Sequence, residues 1–168
     1  KLIYRNDRFL RGGDHSPFVA KGYAAVRITE MNENYLHQHQ DVRTENGVAY
    51  GDLPEYMDFE YLRKNTAMNL SALANLAKAP AQPREVRIQT RRLGNTSHIT
   101  WKAPLSGKVD GYYVLVRETT SAVWEKKFFT QDTEMILPYS KDNYFFAVQA
   151  STAEGNESIP VTPLPSGR

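Results

Sequence analysis

Hydrophobic and polar positions follow two different rhythms along this chain, and the change falls near residue 80. Downstream the period is two. Tyr112, Val114 and Val116 alternate with Tyr113, Leu115 and Arg117, and Tyr144, Phe146, Val148 and Ala150 alternate with Phe145, Ala147 and Gln149. The runs "SHITWKAP", "GYYVLVRET", "WEKKFFT", "TEMILP" and "NYFFAVQAS" are short and rich in β-branched and aromatic residues, with turn signals such as "LSGKVDG", "SKDN" and "AEGNES" between them. This pattern predicts an antiparallel β-sandwich.

Upstream the rhythm is mixed. "GDHSPFVAKG" predicts a short helix with Ser16 at its N-cap, Pro17 at the first helical position and Gly22 just past its end. "YAAVRIT" predicts a short, mostly apolar strand of the kind buried in a parallel or mixed sheet. From about Glu30 to Glu55 the chain is polar and too long for an ordinary connection, which marks it as functional or disordered. A helix follows with Asp58 as its cap. Leu62, Thr66, Asn69, Leu73 and Leu76 recur at three and four, alanines surround Leu70, and Ala79-Pro80 ends the run. The stretch "AKAPAQPREV" then separates the halves, because proline neither continues a helix nor lets its predecessor do so. The division is residues 1–79, a linker at 80–84, a sandwich over 83–162 and a tail at 163–168.

Composition narrows the function classes. At 168 residues with 40% hydrophobic and 24% charged, the chain can bury a core in one domain or two small ones. A net charge of +2 and a single short basic run, "QTRRL", argue against a nucleic-acid binder. With no cysteine there are no disulfides and no thiolate metal ligands. No apolar stretch has the length of a membrane span. The chain opens on "KLIYRNDRF" without an initiator methionine, and it reads as a piece of a longer protein.

Candidate chemistry gathers in "NYLHQHQDV", where His37, His39 and Asp41 crowd together. The types fit metal ligation, a catalytic pair or a polar loop. Glu30 and Glu33 offer a paired-carboxylate alternative whose separation nothing fixes. Asp14 and His15 are either turn residues or lining of a pocket. Trp124, in "SAVWEKK", is either sheet packing or a contact for a carbohydrate or partner surface.

Residues 83 to 162 resemble a fibronectin type III domain. Trp101 in "ITWKAP" matches the second-strand tryptophan, "GYYVLVRE" matches the third strand, and "NYFFAVQASTAEGNES" matches the sixth, with Tyr144 at the tyrosine-corner position. The resemblance implies a spacer or binding module with Trp101 and Tyr144 in its core.

The ordered set "GGDHSPF", "YAAVRITE", "HQHQDV" and "MDFEYLRK" over residues 1 to 79 resembles the C-terminal part of the catalytic domain of co-catalytic zinc aminopeptidases, the bacterial leucyl-type enzymes related to glutamate carboxypeptidase. In that family a loop histidine, four residues before an aspartate, is the last zinc ligand. His37 and Asp41 have that spacing, with His39 as the alternative ligand. The resemblance implies Asp14, His15 and Asp41 as supporting or pocket-lining residues, Asp41 being the nearest group to orient the ligand imidazole. Gly13 stands where the family has serine, and Leu36 and Val42 where it has tyrosine and threonine.

The fold class these resemblances imply is an α/β fragment, the C-terminal part of a zinc-peptidase-like mixed sheet with helices, joined to an all-β fibronectin type III sandwich. The implied function is the C-terminal portion of a zinc metallo-aminopeptidase with an accessory sandwich. Its cofactor would be two Zn²⁺ in the intact parent, with at most one ligand on this chain. Its partners would be a peptide or protein substrate and the remainder of the catalytic domain. A secreted or periplasmic bacterial parent is implied as well. One histidine and a nearby aspartate do not hold a zinc pair, so the chain by itself is expected to be inactive. The competing reading is a non-catalytic binding or adhesion protein with a degenerate peptidase-like domain. The upstream residues alone are expected not to fold, whereas the sandwich is.

Overall fold

The computed structural model describes residues 3–4, 12–91 and 94–166. The chain divides into two compact units, Lys1–Thr66 and Ala67–Arg168.

The upstream unit begins with a short helix, α1 (Ser16–Ala20). The helix forms where the sequence predicts it, but its N-cap is His15 rather than Ser16. Ser16 is drawn into the first turn. Its hydroxyl accepts the Gly13 amide at 3.3 Å, and its own amide donates to the Gly13 carbonyl at 2.9 Å. Gly22, at φ 82°, takes the left-handed turn that ends the segment.

Tyr23–Thr29 does not form the predicted strand. A buried strand needs hydrogen-bonding neighbours, and no described segment pairs with it. Val26 is 82% exposed as a result. The long polar stretch is instead organised by a hairpin of β1 (Arg43–Glu45) and β2 (Val48–Tyr50). Asn46 and Gly47, at φ 50° and 79°, make the two-residue turn whose hand suits strand twist. Pro54–Tyr56 then forms one 3₁₀ turn. The helix α2 (Phe59–Lys78) starts as predicted, with Asp58 Oδ1 accepting the Tyr61 amide at 2.9 Å. The mixed sheet expected of residues 1–79 is therefore absent among the described residues; a small hairpin and two helices stand in its place.

Beyond the last turns of α2, which fall within it, the downstream unit is a two-sheet sandwich. One sheet holds β3 (Arg84–Ile88), β4 (Ser97–Lys102), β7 (Glu134–Leu137) and β9 (Leu164–Pro165) in the order β7-β4-β3-β9. The other holds β5 (Gly111–Glu118), β6 (Lys126–Thr130) and β8 (Tyr144–Ser151) in the order β6-β5-β8. Register on β5 pairs Val114 with Val148 and Val116 with Phe146, so the inward sets of neighbouring strands coincide. Val86, Ile99, Trp101, Tyr112, Val114 and Phe146 are among the buried side chains between the sheets. Trp101 meets Tyr112 edge to face at 5.5 Å, and Tyr144 meets Tyr139 in the same way at 5.0 Å.

The strand β3 starts inside the stretch read as a linker, and β9 lies in the stretch read as a tail. β9 runs parallel to β3, and Ser166 N donates to the Ile88 carbonyl at 2.9 Å. On the outer face of the smaller sheet, the Arg117 guanidinium lies 4.6 Å from the Phe145 ring and 5.4 Å from that of Trp124. Trp124 thus packs on the sheet through Arg117.

Candidate metal-ligating loop

The loop carrying His37 is held from both sides. Asn34 starts it, its side-chain oxygen accepting the Leu36 amide and its carbonyl accepting the His37 amide, both at 3.1 Å. The end of β2 holds the middle. Gly51 N donates to the Leu36 carbonyl at 3.0 Å, and Asp52 Oδ2 accepts the His39 amide at 2.8 Å. Only glycine suits position 51: its φ is 138°, and a Cβ there would lie 3.0 Å from Val42 Cγ2 and 3.1 Å from Val42 Cα. Arg43 closes the far side, donating to Gln40 Oε1 at 3.0 Å and the Asp41 carbonyl at 3.3 Å while its guanidinium lies 4.1 Å from the Tyr50 ring. The 3₁₀ turn then lays Tyr56 on the His37 imidazole, with ring centroids 3.6 Å apart and planes 16° from parallel.

A second group lies on a cleft of about 590 Å³ lined by Gly12, Gly13, Asp14, His15, Arg27 and His39, together with Val26. Arg27 ties its wall together. It donates to the Gly12 carbonyl at 2.8 Å, and its guanidinium stands 3.9 Å from Glu33, whose carboxylate also accepts the Thr29 hydroxyl at 2.6 Å. Glu33 is thereby engaged in holding the loop, while Glu30 is exposed. Gly13, where the resembling family has serine, has a local reason: a Cβ would sit 3.1 Å from His15 Nδ1 and 3.2 Å from Arg27 Cδ.

The structure thus gathers Asp14, His15 and His39 on one cleft and places His37 against Tyr56. His37 is half-buried and His39 is exposed at φ 54°. Asp41 is exposed, and His37 Nδ1 has no hydrogen-bond partner, so Asp41 does not orient the ring through that nitrogen. Among the described residues no three histidine or acidic side chains converge as a metal site. The donors present nonetheless suit a share in one. The Nδ1 atoms of His15 and His37 and Oε1 of Gln38 are shut off from solvent without a partner. Buried polar atoms in native proteins are satisfied by protein, water or an ion, and imidazole is an ordinary zinc donor. Sequence reading missed Tyr56, Arg27 and the Gly51–Asp52 staple. The "ENG" turn between two short runs was the available signal for the hairpin that builds that staple.

Residues 81–164, which span the sandwich, match a family model for the fibronectin type III domain. The chain belongs to the fibronectin type III family. The fibronectin type III domain of human collagen α-1(XX) is 21% identical, over 54% of this chain and 92% of its own, with a TM-score of 0.41. Other relatives extend past the fibronectin type III region. A protein of Leptosphaeria maculans named probable zinc metalloprotease is 47% identical over 165 residues, which is 98% of this chain and 38% of its own length. One from Pyrenophora tritici-repentis with the same name is 46% identical over 165 residues, 98% of this chain and 34% of its own length. The chain therefore spans little more than a third of these relatives. They are fungal, which corrects the bacterial parent that the resemblance implied.

Proposed function

We propose that this chain is the C-terminal portion of a zinc-dependent metallo-aminopeptidase that hydrolyses N-terminal peptide bonds, with the fibronectin type III sandwich as an accessory module. The observation that carries the reading is the inverted burial of a segment shared with longer proteins named probable zinc metalloproteases. In the upstream unit Phe18, Tyr23, Val26 and Met31 are more than half exposed, while His15, Glu33, His37 and Gln38 are half-buried. Apolar side chains left this exposed beside half-buried polar ones suit a segment covered by the rest of a catalytic domain.

In this reading His37 is one ligand and Asp14, His15 and His39 line the pocket beside it. The remaining ligands and the general base come from the rest of the catalytic domain. Zinc, when bound, supplies a Lewis acid that polarises the scissile carbonyl. This chain's residues hold an imidazole in place and shape the wall of the substrate cleft. A secreted parent and a peptide or protein substrate belong to the same proposal.

The test is zinc content and leucyl-p-nitroanilide hydrolysis of the full-length protein, with and without His37→Ala. Loss of one of two zinc ions together with nearly all activity is the expected result. Unchanged zinc and activity would move the ligand to His39. Absence of both zinc and hydrolysis in the unsubstituted protein would favour a non-catalytic binding protein.

A further inference from the structure

We propose that Tyr56 is a positioning residue that fixes the plane of the His37 imidazole for metal binding, an inference that rests on the ligand role of His37 given above. The stack is close and nearly face to face, at 3.6 Å and 16°. Two neutral aromatic rings disfavour that arrangement, because their electron-rich faces repel, and they settle into offset or edge-on contacts. The aromatic pairs Trp101–Tyr112, Tyr113–Phe129 and Tyr139–Tyr144 do so, at 5.5, 5.2 and 5.0 Å. The face of a tyrosine does suit an electron-poor ring, by the same electrostatics that place a cation over an aromatic face. An imidazole that donates to a metal is such a ring. The stack therefore strengthens when His37 becomes a ligand.

The chain between the two rings is built to deliver this contact. The hairpin reverses the chain at Asn46-Gly47, and Gly51 and Asp52 then bond back to Leu36 and His39 on either side of His37. The Pro54–Tyr56 turn follows at once and is closed by the Tyr56 amide donating to the Leu53 carbonyl at 3.1 Å. The His37 ring makes no hydrogen bond with the described residues, so whichever nitrogen faces the metal, no such bond from the other sets the rotation of the ring. Metal-bound histidines usually have their orientation set by a hydrogen bond from the second nitrogen. Here a flat aromatic face takes over that task.

The experiment measures the rate of zinc release from the full-length protein to a chromophoric chelator, alongside thermal melting. It compares Tyr56→Leu, Tyr56→Phe and His37→Ala with the unsubstituted protein. Tyr56→Leu keeps apolar bulk without a flat face, and it is expected to speed release roughly tenfold or more, the usual cost of losing a group that orients a ligand. Tyr56→Phe keeps the face and is expected to restore the slow rate, at an unchanged melting temperature. Equal release from Tyr56→Leu and the unsubstituted protein, where His37→Ala does lose a zinc, overturns the positioning role and leaves the ligand assignment standing. Should His37→Ala retain every zinc, the ligand assignment falls and this inference with it. Fast release from Tyr56→Phe as well would place the effect in the hydroxyl and would also overturn the stacking role.

Discussion

Trp101 and Tyr112 meet in a closed space between two sheets, at 4% and 5% exposure, while Tyr23 and Val26, equally apolar, stand open at 67% and 82%. The sandwich buries Val86, Ile99, Val114, Val116, Phe146 and Val148 and leaves its charged side chains outside. Among the described residues before Pro83 only Gly51 is buried, and the half-buried positions include polar side chains such as Glu33, Gln40 and Arg43 held by local hydrogen bonds. The contrast separates two sources of order. The sandwich draws on apolar burial, which scales with area and stabilises a domain by itself. The upstream unit is held by directional contacts, each of which contributes little net stability in water. The first has a closed apolar core of its own, and the second leaves most of its apolar side chains in the open.

The sharpest way to break this comparison is to separate the halves. Residues 81–166 alone are expected to unfold cooperatively in urea, followed by tryptophan fluorescence. Residues 1–79 alone, which hold no tryptophan, are expected to show no cooperative transition when followed by far-ultraviolet circular dichroism. A cooperative transition in the upstream piece would refute the distinction. Next in size is Trp101→Ala, expected to destabilise the sandwich by about 3–5 kcal/mol in the same titration, since it removes a large buried ring from a packed core. A loss no larger than that of a surface substitution would mean that the core is not centred there.

Gly51→Ala probes the other source of order. Its strain is expected to cost about 1–3 kcal/mol locally and to speed hydrogen exchange at the His37 and His39 amides of the full-length protein, with sandwich amides unaffected. Exchange unchanged at both histidines would show that the Gly51–Asp52 staple does not hold the loop.

The smallest effect concerns acid. The Ala153 amide donates to Asp110 Oδ2 at 2.9 Å and lowers the Asp110 pKa, with Lys108 3.3 Å away adding to the effect. A carboxyl that titrates lower in the folded than in the unfolded state stabilises the fold fully above the ordinary aspartate range. That contribution fades as pH falls through the folded-state value. The urea midpoint of residues 81–166 is therefore expected to fall with pH in that acid window, and to fall less in Asp110→Asn. Identical acid profiles for the two would remove Asp110 from the account.

How much of this was legible in the sequence follows the same divide. Five of the sandwich strands lie where period-two runs predicted them, because partners such as Val114 and Val148 are both present in the same unit. Helix α2 was readable from Asp58 and the three-and-four spacing, which are local signals. Tyr23–Thr29 was misread because an apolar run signals a strand only where a neighbour pairs with it, and no described segment does. Arg84 and Leu164 were missed as strand residues because proline neighbours resembled a linker and a tail. Both strands lie beside each other at one side of their sheet, where a proline lacking an amide hydrogen is tolerated. In the candidate site the spacing of His37 and Asp41 pointed to a loop that the structure holds by local hydrogen bonds, without a cluster of metal ligands among the described residues. The stack with Tyr56 joins residues across a hairpin, and no periodicity announces such a contact.

The parallel pairing of β9 with β3 has a mechanical consequence. The first and last strands of the sandwich lie side by side and point the same way, with Arg87 opposite Leu164 and Ile88 opposite Pro165. A pull on the residues flanking the sandwich would drag these strands along one another, loading their contacts together as shear. The Ser166 amide on the Ile88 carbonyl and the Ser166 hydroxyl on Gln89 Oε1, at 2.9 and 3.2 Å, share that load. The pairing places the two terminal strands, rather than the tryptophan core, on the line of any pull applied at the flanks of the sandwich.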